Sequence, residues 1–125
     1  MKQKTLDAIK SNIETDGLIN TSEQFGLSVN KLIELCDLHY KTFEDIDFQP
    51  NWAGGVAGKI MFENGYGASV IRNEQSYGGH IGLYELAVLD NYGKLTYDTP
   101  ITDDVLGYLK PEEVTNYLIQ IQDLK

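Results

Sequence analysis

The chain has 125 residues, 42% of them apolar, and carries nineteen Asp and Glu side chains against ten lysines and arginines, a net charge of −9. That length suits one domain with a real core, or one domain with a small helical extension. No run approaches the roughly 18 apolar residues of a membrane span, and the acidic balance, with Arg72 the single arginine, counts against broad phosphate neutralisation of nucleic acid.

A lone cysteine, Cys36, and an N-terminus lacking an apolar signal core predict a reducing, cytoplasmic location with no membrane association. Leu6, Ile9 and Ile13 recur at helical spacing ahead of Asp16-Gly17, which predicts a helix over residues 5–16 that glycine ends. A short helix over 21–25 stops at Gly26, and Ser28 caps a third that carries Val29, Leu32, Ile33, Leu35, Cys36 and Tyr40 as far as Phe43.

The run Phe25-Gly26-Leu27-Ser28-Val29-Asn30-Lys31-Leu32 resembles the turn and second helix of helix-turn-helix proteins. The resemblance implies that Asn30, Lys31 and Glu34 lie on exposed faces of a recognition helix, and it defines one alternative, a small DNA-binding regulator. Few cations stand nearby to support it. Cys36 and His39 are three apart on the same predicted helix, with His80 a distant third candidate; a metal site needs three or four ligands, so neither a metal nor a cofactor is expected and a metal-dependent enzyme is the weakest reading.

From Glu44 onward neither helical nor strand periodicity survives. Glu44, Asp45 and Asp47 form an acidic cluster without the glycine and distal glutamate of a calcium loop, and they are candidate contacts for a partner with a basic surface. Residues 48–58, with Pro50, Trp52 and three glycines, read as a joint between a helical unit over 1–47 and a sheet-and-helix unit over 59–125, with the tryptophan plugging the seam. Gly54-Gly55-Val56-Ala57-Gly58-Lys59 is one residue short of a phosphate-binding loop, and Ile60 stands where a Ser or Thr is required.

Strands over 59–63 and 68–73 meet at Asn64-Gly65, whose residues supply the positive φ angles of a two-residue hairpin; strands over 83–90 and 94–98 meet at the longer Asn91-Tyr92-Gly93 turn. Between the hairpins runs the glycine-rich connection Tyr77-Gly78-Gly79-His80-Ile81-Gly82. Ser76 and His80 lack an elbow or oxyanion motif to hold them in register, so the loop is a contact candidate and not a catalytic one. Tyr66, Tyr77 and His80 are its expected binding residues, because tyrosine offers a large contact area with a polar tip. Thr102 caps a predicted helix bearing Val105, Leu106 and Leu109, and Pro111 opens a last helix in which Val114, Tyr117, Leu118 and Ile121 share a face. The acid pairs Asp103-Asp104 and Glu112-Glu113 suit helix starts. The expected fold is α+β: an N-terminal helix-turn-helix-like unit, then a four-stranded antiparallel sheet covered by C-terminal helices.

The runs Phe62-Glu63-Asn64-Gly65-Tyr66-Gly67-Ala68-Ser69-Val70, Ser76-Tyr77-Gly78-Gly79, Gly82-Leu83-Tyr84-Glu85-Leu86-Ala87-Val88-Leu89 and Ile101-Thr102-Asp103-Asp104-Val105-Leu106-Gly107-Tyr108-Leu109 resemble small bacteriophage-encoded accessory proteins. The resemblance covers about half the chain, from Lys59 onward, and transfers no residue role. It implies a phage or prophage protein without enzymatic activity that binds protein, in the manner of acidic counter-defence inhibitors that present carboxylates where nucleic acid would lie.

Overall fold

Local capping chemistry divides the first forty residues into three short helices. The computed structural model describes residues 1–52 and 54–125; Ala53, inside the predicted joint, lies outside the described residues. Two compact units form, Met1–Tyr40 and Lys41–Lys125, so residues 48–58 belong to the second. The first unit holds α1 (Gln3–Asp16), α2 (Leu18–Phe25) and α3 (Val29–Leu35). Gly17 at φ 86° separates α1 from α2, and Gly26 at φ 65° ends α2 in the left-handed conformation that glycine adopts without steric cost. Ser28 caps α3 as expected, its hydroxyl accepting from the Lys31 amide at 3.0 Å.

The third helix stops at Leu35, well short of the predicted Phe43. Asp37 turns left-handed at φ 50°, and the Leu38 amide donates back to the Ile33 carbonyl at 3.0 Å, the six-to-one bond of a Schellman ending. Aspartate tolerates that conformation without announcing it as glycine would. Ile9, Ile13, Leu18, Leu32 and Cys36 are buried, and buried Thr21 is satisfied by accepting from Asn12 Nδ2 and donating to the Gly17 carbonyl, both at 2.8 Å.

The second unit is an antiparallel sheet in chain order, β1 (Gln49–Pro50), β2 (Val56–Met61), β3 (Gly67–Arg72), β4 (Tyr84–Leu89) and β5 (Leu106–Leu109), followed by α4 (Pro111–Gln122). The sheet therefore has five strands, not the expected four. Period-two alternation puts Ile60, Ala68, Val70, Leu86 and Val88 on one face, where Val114, Leu118 and Ile121 of α4 close the core. Fully burying such an aliphatic side chain contributes roughly 1.5–3 kcal/mol, so this seam dominates the unit's stability. Phe43, in a 3₁₀ turn over Phe43–Asp45, meets Tyr84 edge-on and Phe48 meets it tilted, with ring centroids 5.1 and 5.5 Å away.

Three expectations fail here. Residues 94–98 form no strand: Leu95 makes a single bridge to Leu89, and the Thr96 amide reaches the Val88 carbonyl at 2.9 Å. The helix expected after Thr102 is strand β5. The Thr102 hydroxyl donates to the Asp104 carbonyl and accepts from the Asp104 amide in a tight turn, and Lys110, which precedes proline, is held extended at ψ 160°, a conformation that disfavours helix just before it. Trp52 plugs no seam, being 98% exposed.

Turn chemistry also differs at Asn64-Gly65. Only Gly65 has positive φ, and the Phe62 amide pairs with the Tyr66 carbonyl at 2.8 Å, which gives a three-residue loop. Asn64 is thereby free to use its side chain elsewhere, and its Nδ2 reaches the carbonyls of Ile121, Gln122 and Leu124 at 2.8, 3.1 and 3.0 Å. It caps the C-terminus of α4. The Asn91-Tyr92-Gly93 turn repeats the same loop, with Asp90 Oδ1 accepting from the amides of Tyr92 and Lys94.

Candidate functional site

Strand direction fixes what each end of the sheet can display. β3 joins Tyr66 at one end to Asn73 at the other, a separation on the order of 20 Å for a six-residue strand. The expected patch of Tyr66, Tyr77 and His80 is therefore split. Tyr66 lines an open polar depression of about 390 Å³ with Asn64, Asp90, Thr96, Asp98 and Lys125, while Tyr77 and His80 stand at the far end.

That far end is assembled from three segments. The loop after β3 is built by its own hydrogen bonds: Asn73 Oδ1 accepts from the amides of Gln75 and Ser76, both at 2.8 Å, and buried Ser76 accepts from the Asn73 amide and donates to its carbonyl, each at 2.9 Å. Ser76 is thus a staple whose hydroxyl proton is given to the Asn73 carbonyl. Gly79 lies so close to this staple that an added Cβ would sit 1.7 Å from the Asn73 carbonyl oxygen. Above the staple stand Tyr77 and a 3₁₀ turn, Gly79–Ile81, that carries His80.

The β1–β2 hairpin supplies the second segment. Its tip is closed by the Asn51 amide on the Gly55 carbonyl at 3.1 Å, and Gly55, at φ 69°, passes so close to Arg72 that a Cβ there would lie 1.9 Å from the carbonyl oxygen. Of the glycines that superficially suggest a phosphate loop, Gly55 is needed for this approach, and a strand follows it, not a helix. Trp52 rides on the tip.

The third segment is the end of β5, which is locked to the first. The Tyr108 amide donates to the Tyr77 carbonyl at 3.0 Å; the Tyr77 side chain lies over Gly107, and Tyr108 lies over Gly78. Tyr108 adopts φ 57° beside a register shift in the β4–β5 ladder. A bulky residue in that conformation is strained by roughly 1–3 kcal/mol and persists only where its surroundings impose it. The four large apolar side chains of this end are open to solvent: Trp52 98%, Tyr77 59%, Ile81 61% and Tyr108 55%. Behind them the Arg72 guanidinium lies 5.1 Å above the Tyr84 ring and donates to its hydroxyl at 3.1 Å, joining the loop end to the core.

The remaining sequence candidates are placed elsewhere. Asp45 Oδ2 caps the Thr42 amide at 2.8 Å, Glu44 accepts from the Thr42 hydroxyl at 2.9 Å, and Asp47 accepts from Gln49 at 2.7 Å, so these exposed carboxylates all have local structural bonds. Asn30, Lys31 and Glu34 are exposed on the seven-residue α3. Cys36 is buried whereas His39 lies exposed beyond the helix end, and among the described residues no three His, Cys, Asp or Glu side chains gather where a metal could be held. No helix among the described residues is long and apolar enough to cross a membrane.

Reading the sequence alone passed over Trp52, Ile81 and Tyr108 as contact residues. A tryptophan between Pro50 and a glycine pair was a signal of a turn tip; nothing local marked Tyr108. The fold and this surface define an α+β protein with an aromatic sheet end. No protein-family model matches the sequence, no curated protein matches it, and no solved structure matches its fold.

Proposed function

We propose that the protein is a non-enzymatic accessory protein of the phage or prophage kind that acts by binding a protein partner with a basic surface, as an inhibitor of a host defence or nucleic-acid-processing factor. One observation carries the reading: a well-anchored loop end exposes four large apolar side chains on a unit with thirteen carboxylates against six lysines and arginines. Aromatic residues presented on a rigid support are typical of binding hot spots, and acidic surroundings favour a cationic partner. The likeness to phage proteins supplies the biological setting.

Capture from a bacterial host lysate over a series of salt concentrations, followed by activity assays of the purified partner, tests it. The expected result is a basic protein that is released as salt rises and whose activity falls on addition of the purified chain. Recovery of no such partner at any salt concentration removes the reading.

A second reading, DNA binding by the N-terminal unit, is favoured by the exposure of Asn30, Lys31 and Glu34 directly after the left-handed Gly26 turn. It predicts a mobility shift of DNA from upstream of the gene that weakens in Lys31→Glu. Absence of any shift at low salt ends it.

A further inference from the structure

The structure assigns the aromatic end of the sheet as a docking face for an arginine- or lysine-bearing protein segment, with Tyr108 as its central contact. This inference rests on the proposed reading of the chain as a binder of a basic partner, and it names where and how that partner sits.

Three observations lead there. Tyr108 is the only non-glycine residue of the second unit's described part with positive φ, and its ring is left more than half exposed. A backbone that serves packing alone would place glycine at such a position, as this chain does at Gly55, Gly78 and Gly82. A large ring kept there at a steric cost, and turned toward water, points to a contact made outside the chain. Second, the ring is held in place: Gly78 lies beneath it, and the Tyr77 carbonyl fixes its amide. Little rotamer freedom remains to be lost on binding, which favours affinity.

The third observation is charge. The exposed charged groups on the elements that form this end are Glu74 on the loop and Lys110, Glu112 and Glu113 where β5 passes into α4. Half-buried Arg72 and Glu85 at the adjoining strand ends add one charge of each sign, so acids exceed cations at this end by two. Aromatic faces attract guanidinium and ammonium groups, and flanking carboxylates can pair with them at the rim. An acidic or wholly apolar segment would leave those carboxylates without a counter-charge. The occupant is therefore a cationic segment whose aliphatic stems cover the apolar side chains while its charges meet the acidic rim.

The probe is a nine-residue peptide of arginine alternating with leucine, titrated into the isotopically labelled full chain at low salt; the control has glutamate in place of arginine. Amide shifts should be confined to residues 51–55, 74–82 and 107–113, and the control should give none. Trp52, the sole tryptophan, should show blue-shifted emission as its surroundings dry. Tyr108→Gly, which removes the ring and relieves the positive φ, should weaken the arginine peptide at least tenfold with an unchanged or raised melting temperature. Shifts centred on the Asp90 and Asp98 depression, or equal affinity in Tyr108→Gly, overturn the docking face while leaving the basic-partner reading intact. Failure of the arginine peptide to bind anywhere at low salt overturns both. Sedimentation showing a dimer that Tyr108→Gly abolishes overturns it in favour of a second copy as the occupant.

Discussion

The two ends of the sheet turn the chain with the same residue types, Asn, Gly and Tyr, yet leave them in different states. At the Asn64 end, turn residues satisfy the protein's own needs: Gly65 and Gly93 take the positive φ angles, Asn64 caps α4, and Asp90 holds its own turn. At the Tyr77 end, a strained tyrosine replaces glycine, and Trp52, Tyr77 and Ile81 face water. Self-satisfied turns are architecture. Large apolar side chains face water at both ends, Tyr92, Leu95 and Tyr97 among them at the Asn64 end; the conformational cost at Tyr108 is what marks the other end as the place where a contact outside the chain is to be sought.

Four substitutions break or sharpen this contrast. Gly55→Ala places a Cβ 1.9 Å from the Arg72 carbonyl at φ 69°, so it should destabilise by about 3 kcal/mol through combined strain and overpacking. Hydrogen exchange should speed up around residues 49–58 and 70–73 first, leaving the Asn64 end protected; uniform exchange would show that the two ends are not independent. Asn64→Ala removes a side chain that serves three carbonyls and should cost about 1–2 kcal/mol in denaturant unfolding. Its effect on binding the arginine peptide should be less than twofold, because it acts at the opposite end.

Tyr108→Gly should move stability the other way, by up to about 1 kcal/mol, because the left-handed strain disappears. A marked loss of thermal stability would mean that the ring is a packing element. Trp52→Ala should change stability least, within about 0.5 kcal/mol, as expected of a fully exposed side chain. Calorimetry reads both, and in each variant peptide affinity should fall while stability holds.

Much of the fold was legible from neighbouring residues. Ser28 and Pro111 marked helix starts, Gly17 and Gly26 marked ends, and the period of Val114, Leu118 and Ile121 gave the face of α4 that the core covers. The grouping of the candidate residues was half legible: Tyr77 and His80 share one glycine-rich loop and so stand at one end of the sheet, whereas Tyr66 lies at the other, because sequence distance conceals a strand's length. Leu106 and Leu109 fit a helix face or a strand equally well, and only the partner β4 decided between them.

Caps, glycine turns and apolar periodicities follow from the chain's own neighbouring residues, since each depends on sterics, hydrogen bonds and burial within a few positions, and the acidic charge follows from composition. The tertiary structure alone decided that β5 is a strand, that Asn64 caps a helix fifty-seven residues away, and that Tyr108 is held left-handed over Gly78. Those features depend on atoms brought together across the sheet. A residue's own neighbours carry no record of a carbonyl or a ring that arrives from another strand.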